Sequence, residues 1–262
     1  MSTPDFITEL FCRIDDLMAN VKKHSQAALH PSEVVTLALL FALKGVGNRA
    51  FYRWLKRDWR HLFPNLPCRT RLFRLFNSHR KWVDLMMAQP SMLGVIDTYG
   101  IELIHPRREG RSLEQIGRKG MSNARWIVGC KLCLLQNHLG LIVDWDCDTA
   151  NVYDGSAFQH VVEGVLDDMV VFADTGFAKK DWHPHNLRLC RRGVWNDRMM
   201  IETTLSMLTL VCHFKKMMHR KWAYFKSRVG YTMALFNILV QWNGVCPDRT
   251  GMFHLTIAEF SL

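Results

Sequence analysis

The chain has 262 residues, of which 48% are hydrophobic and 22% charged, a composition that predicts a folded protein with one large or two modest domains. Its formal net charge of +10 favours a polyanionic partner, with nucleic acid ahead of an anionic membrane surface. The longest apolar runs, residues 34–43 and 229–242, fall short of the roughly 18 residues of a membrane span, and the opening residues lack a secretory pattern, so we expect a cytosolic protein without a membrane partner.

Residues 1–89 have the pattern of a helical module. Apolar residues recur there at helical spacing, Pro31-Ser32-Glu33 signals the start of a helix, and Gly45 and Gly47 signal its end. Helices are predicted over residues 6–21, 34–43, 48–63 and 69–87.

The second half of this module is strongly basic. Residues 49–81 contain ten Lys or Arg and one acid, Asp58, with aromatic residues interleaved. Such a face suits DNA phosphates, although the aromatic side chains also fit a simple core surrounded by solvated charges. Arg71 and Arg74 lie three positions apart in the last predicted helix and can face one groove, where arginine bonds guanine in bidentate fashion. We therefore predict a DNA-binding module over residues 1–90.

After residue 90 the pattern changes to that of strands and helices together. Strands are predicted over residues 92–98, 126–136, 139–146, 169–173 and 186–190, and helices over residues 156–166, 197–217 and 221–242. Asp154 is placed to cap the first of these helices. This order predicts an α/β domain over residues 91–262, with a mixed sheet flanked by helices.

Three acids stand out because of the apolar residues around them. Asp97 and Asp174 each follow an apolar strand, and functional side chains collect at such strand ends. Glu202 lies on a helix that is otherwise rich in apolar residues, where a buried carboxylate needs a cation. A simpler interpretation of Glu202 is an ion pair with Arg198, four residues earlier on the same helix face. A single acid of this kind is more often a helix cap or an edge residue than a catalytic group, but three together weaken that interpretation.

Other acids and histidines have simpler explanations than metal binding. Asp144, Asp146 and Asp148 alternate along one side of a strand end, where acids that lead into a turn are usually solvated. His183 and His185 lie in a loop without a nearby third ligand, which is typical of surface residues.

A basic loop and a cysteine pair complete the candidate groups. Cys130 and Cys133 are three residues apart in a strand, where their side chains are expected on opposite faces, so we predict buried thiols rather than a zinc site. A glycine-containing loop is either solvated or lies over the active site in contact with DNA. Its basic residues are Arg107, Arg108, Arg111, Arg118 and Lys119.

Several sequence blocks after residue 90, taken in order, resemble those of a known family. These are Val95-Ile96-Asp97, Phe172-Ala173-Asp174-Thr175-Gly176-Phe177, Arg198 with Glu202, Gly129-Cys130-Lys131-Leu132, and the turn from Thr149 to Asp154. Together they resemble the catalytic signature of DDE insertion-sequence transposases with a ribonuclease-H-like core, and most closely the nine-eighty-two family of insertion sequences. The helical signature departs from that family at Trp195, where relatives have Tyr, and at Thr209, where they have Lys; Lys215 or Lys216 replaces that cation in part.

The resemblance implies a two-metal nuclease and strand transferase. Asp97 would bridge two Mg²⁺ or Mn²⁺ ions, with Asp174 and Glu202 each holding one of them. Water would cut the ends of a mobile element, and the freed 3′ hydroxyl would attack target DNA. The expected partner is double-stranded DNA, bound by a homodimer in the bacterial cytoplasm at the nucleoid. The expected DNA contacts are Arg71, Arg74, Lys131, Arg198, Lys215 and Lys216.

Three alternative functions remain open at this point. The first is a catalytically silent DNA-binding protein derived from such an element. The second is a different two-metal nuclease, such as a resolvase, which cleaves branched DNA without strand transfer. The third is a basic structural protein, which leaves the three apolar-flanked acids unexplained.

Overall fold

Four helices precede a mixed sheet, and two long helices follow it. The computed structural model describes residues 1–122, 125–178, 184–190, 198–214, 217, 219–244, 255–260 and 262, and it describes only the backbone of Arg198 and Met199. The helices are α1 (Thr3–Leu17), α2 (Pro31–Lys44), α3 (Asn48–Asp58), α4 (Arg69–Ser78), α5 (Asp154–Ala157), α6 (Gln159–Glu163), α7 (Arg198–Leu210) and α8 (Trp222–Trp242). The strands are β1 (Leu93–Ile104), β2 (Arg118–Ser122), β3 (Arg125–Asn137), β4 (Ile142–Thr149), β5 (Val170–Ala173) and β6 (Leu187–Leu189).

Helix α2 is the buried centre of the N-terminal half. Its start is fixed by a capping box in which the His30 backbone N–H donates to the Glu33 carboxylate at 2.6 Å. Gly45, with a φ of 63°, adopts the left-handed conformation that ends the helix. The predicted helix over residues 69–87 is shorter than expected: α4 ends at Ser78, and a separate 3-10 helix follows over Arg80–Met86.

The described strands form one six-stranded sheet in the order β2-β3-β1-β5-β6, with β4 also paired to β3. The β1–β3 and β3–β4 pairs are antiparallel, whereas β1 pairs parallel with β5, and β5 parallel with β6. β2 and β4 pair with different parts of β3, and helices flank the sheet. This is a ribonuclease-H-like arrangement, and it confirms the predicted α/β fold.

Strand β1 is longer than predicted and carries Asp97 in its interior, not at its end. It continues to Ile104, and β2, which was not predicted, lies beyond it. Gly100 permits this extension, since a Cβ there would lie 2.4 Å from the Ser122 Oγ.

The segment after β4 also differs from its prediction. The expected helix over residues 156–166 is two short helices, α5 and α6. The expectation that Asp154 caps this helix is wrong, because Tyr153 occupies the cap position and the Asp154 carboxylate binds other side chains.

The two faces of the sheet contribute to two different hydrophobic clusters. One face packs with α5 and α6, and the other packs with α7, α8 and the N-terminal helices. Cys130 and Cys133 belong to different clusters, so they lie on opposite faces as predicted, and burial raises the pKa of both thiols.

Helix α8 connects the N-terminal half to the sheet. The Tyr231 hydroxyl donates to the Phe76 carbonyl at 2.9 Å. The Asn237 amide donates to the carbonyls of Met86 and Ile142, and its oxygen accepts from the Ile142 N–H. Residues 1–90 therefore share a hydrophobic cluster with α8 and one face of the sheet.

Within the described ranges, no single helix is both long and apolar enough to cross a membrane. Helices α2 and α3 meet those criteria only when taken together, and they are bent by 116° at the break between them.

Candidate active site on strands β1 and β5

Two of the three predicted catalytic acids are associated with neighbouring parallel strands: Asp97 lies within β1, and Asp174 directly follows β5. Val95 of β1 pairs with Phe172 of β5. The backbone remains extended through Asp174, with φ −76° and ψ 172°, so the same register continued by two residues brings Asp97 beside Asp174. Strands paired in this way lie about 4.8 Å apart, and aligned residues of a pair point to the same face.

The face that carries these two acids is the one covered by α7. Successive residues of a strand alternate between faces, so Asp97 shares its face with Val95 and not with Ile96. Gln136 pairs with Val95 across β1 and β3, and its amide donates to the Thr204 hydroxyl of α7 at 2.6 Å. Helix α7 therefore packs on the Asp97 side of the sheet.

Each aspartate is oriented by a backbone N–H close to it in the chain. The Asp97 Oδ1 accepts from the Thr98 N–H at 2.8 Å. The Asp174 Oδ1 accepts from the Gly176 N–H at 2.9 Å, at the start of a 3-10 turn. Both residues are half-buried, and Asp174 Oδ2 has no hydrogen bond to any residue that the structure describes. A fixed carboxylate with one oxygen available is a suitable ligand for a hard cation.

Glu202 lies apart from this pair in the orientation that the structure gives to α7. Ile201, Thr204 and Leu208 are fully buried against the sheet, whereas Glu202 is exposed. With 3.6 residues per turn, adjacent helix positions are about 100° apart, so the Glu202 side chain leaves the flank of α7. Across the described part of the chain, no group of three or more His, Cys, Asp or Glu side chains is arranged to hold a metal ion. The structure thus brings Asp97 and Asp174 together but does not bring Glu202 to them.

Lys131, predicted as a DNA contact, lies on the face of the sheet opposite Asp97. Its Nζ is 2.7 Å from Asp154 Oδ1 and 2.9 Å from the Val152 carbonyl, and both partners of the ion pair are largely buried. Asp154 also accepts from the hydroxyl of Thr98, the residue after Asp97, at 2.8 Å. Asp154 and Thr98 were not recognised as site residues in the sequence, because only the structure shows that a network beneath β1 supports the strand next to Asp97.

The remaining predicted DNA contacts are placed only in part. Arg71 and Arg74 are both exposed on α4, on the side away from the buried Leu72 and Phe73. The Arg198 backbone begins α7, but its side chain lies outside the described residues. Lys215, Lys216 and Trp195 also lie outside them, and Thr209 is half-buried on α7.

The alternating acids of β4 take part in contacts other than metal binding. Asp146 Oδ1 is 2.9 Å from Lys226 Nζ, and its Oδ2 is 3.2 Å from His160 Nε2. Burial raises the pKa of Asp144, and Asp148 is exposed. His185 is also exposed, whereas His183 lies outside the described residues.

Comparison with known protein families gives a match over the sheet. Residues 90–188, less than half of the chain, match the family model described as the transposase DDE domain. No curated protein matches the chain. The matched range contains both Asp97 and Asp174, whereas Glu202 lies beyond it. In this region the chain is similar to transposase DDE domains, and this similarity supports a DDE-type transposase.

Proposed function

We propose that the protein is a DNA transposase that cleaves the ends of its own mobile element and joins the 3′ hydroxyl to target DNA. The observation that carries this proposal is the pairing of Val95 with Phe172 on adjacent parallel strands, inside the range that matches the transposase DDE domain. Continued by two residues, that register aligns Asp97 with Asp174. Paired carboxylates on rigid strands hold their oxygens at a fixed separation, as phosphoryl transfer with metal ions requires.

The donor set suits Mg²⁺ or Mn²⁺. Such hard cations prefer carboxylate oxygens and keep several waters, so few protein ligands are needed. Two bound ions would supply activation of the attacking oxygen and stabilisation of the leaving one. In the proposed site Asp97 and Asp174 provide the fixed ligands from the sheet, and Glu202 provides the third carboxylate from α7.

The proposed role of Glu202 requires its side chain to change direction. In the described orientation α7 buries Ile201, Thr204 and Leu208 and leaves Glu202 exposed. For Glu202 to join the aspartates, its carboxylate has to turn from the helix flank toward the sheet. This movement is part of the proposal, and substitution of Glu202 tests it separately from the aspartates.

Double-stranded DNA is the proposed partner, and we propose that a homodimer of the protein binds two ends of the element. The net charge of +10 supports this, as do the ten basic residues of residues 49–81. Arg71 and Arg74 are the residues on α4 that we propose read base sequence. Membership of the nine-eighty-two group of insertion sequences belongs to the same proposal, and it rests on the ordered sequence blocks alone.

A specific observation favours a second candidate, a DNA-binding protein that has lost its chemistry. The described residues contain no group of three or more side chains that could hold a metal ion, and Glu202 is exposed on the flank of α7. A protein of this kind would bind DNA in the absence of metal and would not cut it with any divalent ion.

The test is cleavage of a short linear duplex by the full chain with Mn²⁺, Mg²⁺, Ca²⁺ or excess EDTA. We expect cutting with Mn²⁺ and Mg²⁺ only, because Ca²⁺ accepts looser geometry than the transition state allows. Asp97→Asn and Asp174→Asn should abolish cutting and leave DNA binding intact. Asp148→Asn is the matched control, since it neutralises an exposed aspartate of the same sheet. Cutting in EDTA, or by either site variant, would refute the assignment.

A further inference from the structure

A basic cleft lies beyond the far end of strand β1, away from the aspartates. It has a volume of about 880 Å³ and is bounded by the end of β1, the loop after it, and the residues before α8. One of its lining residues, Glu114, is acidic. Five others are arginine or histidine: His105, Arg108, Arg111, His219 and Arg220. The cleft therefore has the charge that attracts an anionic ligand.

The arginines of the cleft are available to a ligand. Arg108, Arg111 and Arg220 are all exposed, and their guanidinium groups form no ion pair or side-chain hydrogen bond with any described residue. Guanidinium groups bind phosphate with two parallel hydrogen bonds, which makes arginine the side chain best suited to a phosphate backbone. The cleft therefore offers three guanidinium groups with no partner among the described residues.

A further positive charge, that of Arg228, lies behind the cleft residue His219. His219 lines this cleft and also a small cavity between α4 and α8 that contains the Arg228 side chain. Arg228 is 7% exposed, and its guanidinium carbon lies 3.9 Å from the centre of the Phe41 ring. One of its nitrogens donates to the Ala42 carbonyl at 3.2 Å, but Nη1 has no hydrogen-bond partner in the described part of the chain. Arg228 has no anionic partner among the residues that the structure describes, and a buried cation in that position is costly. An anion in the adjoining cleft would offset that cost.

The cleft lies on the same strand as Asp97. Asp97 and Leu103, which lines the cleft, are both residues of β1 and are separated by six positions. At about 3.3 Å per residue this corresponds to about 20 Å. The same length covers about six nucleotides of one strand of a DNA duplex.

We propose that this cleft binds the sugar–phosphate backbone of the DNA duplex about six nucleotides from the position held at Asp97. This inference rests on the proposed function, and it adds a contact surface that the acid pair and α4 do not provide. Arg108, Arg111 and Arg220 bind phosphate oxygens there, and the charge of Arg228 behind His219 strengthens the attraction. Because phosphates carry no sequence information, the contact is independent of base sequence.

The test measures binding of the full chain to a duplex of about 30 base pairs of arbitrary sequence, in EDTA and at several salt concentrations. The variant is Arg108→Gln with Arg220→Gln, both at exposed positions, where substitutions usually change stability little. We expect affinity to fall by about tenfold or more per arginine at low salt, as for lost charged hydrogen bonds. The slope of log affinity against log salt should become shallower by about 1.8.

The matched control is Lys22→Gln, which removes one exposed positive charge from the segment after α1. It should leave the affinity and the salt slope near those of the wild type. If the cleft variant binds like the wild type, or if the control weakens binding as much per charge, the cleft proposal is overturned. Cleavage with Mn²⁺, measured separately, then shows whether the proposed function still holds. A wild-type chain that binds no duplex would overturn both.

Discussion

The Lys131 ammonium lies 2.7 Å from the Asp154 carboxylate, on the face of the sheet opposite Asp97. This pair connects β3 to the start of α5, and the same carboxylate accepts a hydrogen bond from the hydroxyl of Thr98, the residue after Asp97. The two side chains are 14% and 16% exposed, so the loss of either one leaves the other as a largely buried charge without a counter-charge. The contact therefore matters more for stability than a surface ion pair does.

Single substitutions of this pair should destabilise the protein. Lys131→Met and Asp154→Asn are each expected to lower the free energy of unfolding by about 3 kcal/mol, since each leaves its former partner buried without a counter-charge. The double variant should lose clearly less than the sum of the two, as judged by urea denaturation in a double-mutant cycle. Additive losses would show that the pair is not coupled. A Lys131→Met variant that retains full stability but loses DNA affinity would return Lys131 to the role of a DNA contact.

Much of the fold could be predicted from periodicity, whereas strand ends could not. The α/β order and the long helices follow from apolar spacing and from the capping signals at Pro31 and Gly45. The predicted strand ends at residue 98, whereas β1 continues to Ile104. Strand β2 was not predicted, because its charged, glycine-containing sequence has no clear alternation. Both depend on pairing with β3, a contact between distant parts of the chain that no local pattern records.

The candidate site was predicted in part for similar reasons. Asp97 and Asp174 follow apolar residues, and the parallel pairing of their strands brings them together. The orientation of Glu202 depends on the rotation of α7 about its axis, which is set by the packing of Ile201, Thr204 and Leu208. That rotation could not be resolved from a helix with apolar residues on most sides. The basic cleft was seen in the sequence only as a loop, since Arg220 comes from a segment more than one hundred residues later.

Metal binding should be visible as stabilisation even where no DNA is cut. A ligand that binds only the folded state adds about 2.7 kcal/mol at one hundred times its dissociation constant, so Mn²⁺ should raise the melting temperature. Asp97→Asn and Asp174→Asn should remove this shift in a thermal melt. Glu202→Gln shows whether the third acid takes part: a reduced shift places Glu202 among the ligands, and an unchanged shift leaves the aspartates as the only protein ligands of the three. Asp148→Asn should melt like the wild type at every Mn²⁺ concentration, and loss of the shift in that variant would contradict the assignment to β1 and β5.

The protein should lose stability as the pH falls, with a contribution from His219. Burial and the charge of Arg228 lower the pKa of His219 to about 4 from its ordinary 6.5. Between these values the unfolded chain binds a proton that the folded chain does not, so the folded state loses stability as the pH falls from 6.5 toward 4. The full contribution is up to about 3 kcal/mol.

The measurement is urea denaturation of the wild type and of His219→Asn across that range of pH. Subtracting the two curves isolates His219 from Asp144, whose raised pKa acts in the opposite direction. As the pH falls from 6.5 toward 4, the free energy of unfolding should decrease less in His219→Asn than in the wild type. Parallel curves for the two proteins would mean that His219 titrates normally in the folded state.

Sequence recognition should depend on the exposed arginines of α4. Arg71 and Arg74 lie one helical turn apart and project from the side opposite the buried Leu72 and Phe73, so both can enter one major groove. Arg71→Ala or Arg74→Ala should each cost about 1 to 3 kcal/mol of binding to the DNA ends that flank the element, and much less on arbitrary DNA.

Arg53→Ala is the control for this prediction, because Arg53 is equally exposed but lies on α3. If it contacts only phosphate, its removal should weaken binding to both kinds of DNA by the same factor and make the salt dependence shallower by about one unit. Competition binding by the full chain at two salt concentrations separates the two behaviours. Equal losses on flanking and arbitrary DNA for Arg71→Ala and Arg74→Ala would mean that α4 holds the backbone only, and that bases are read by another part of the protein.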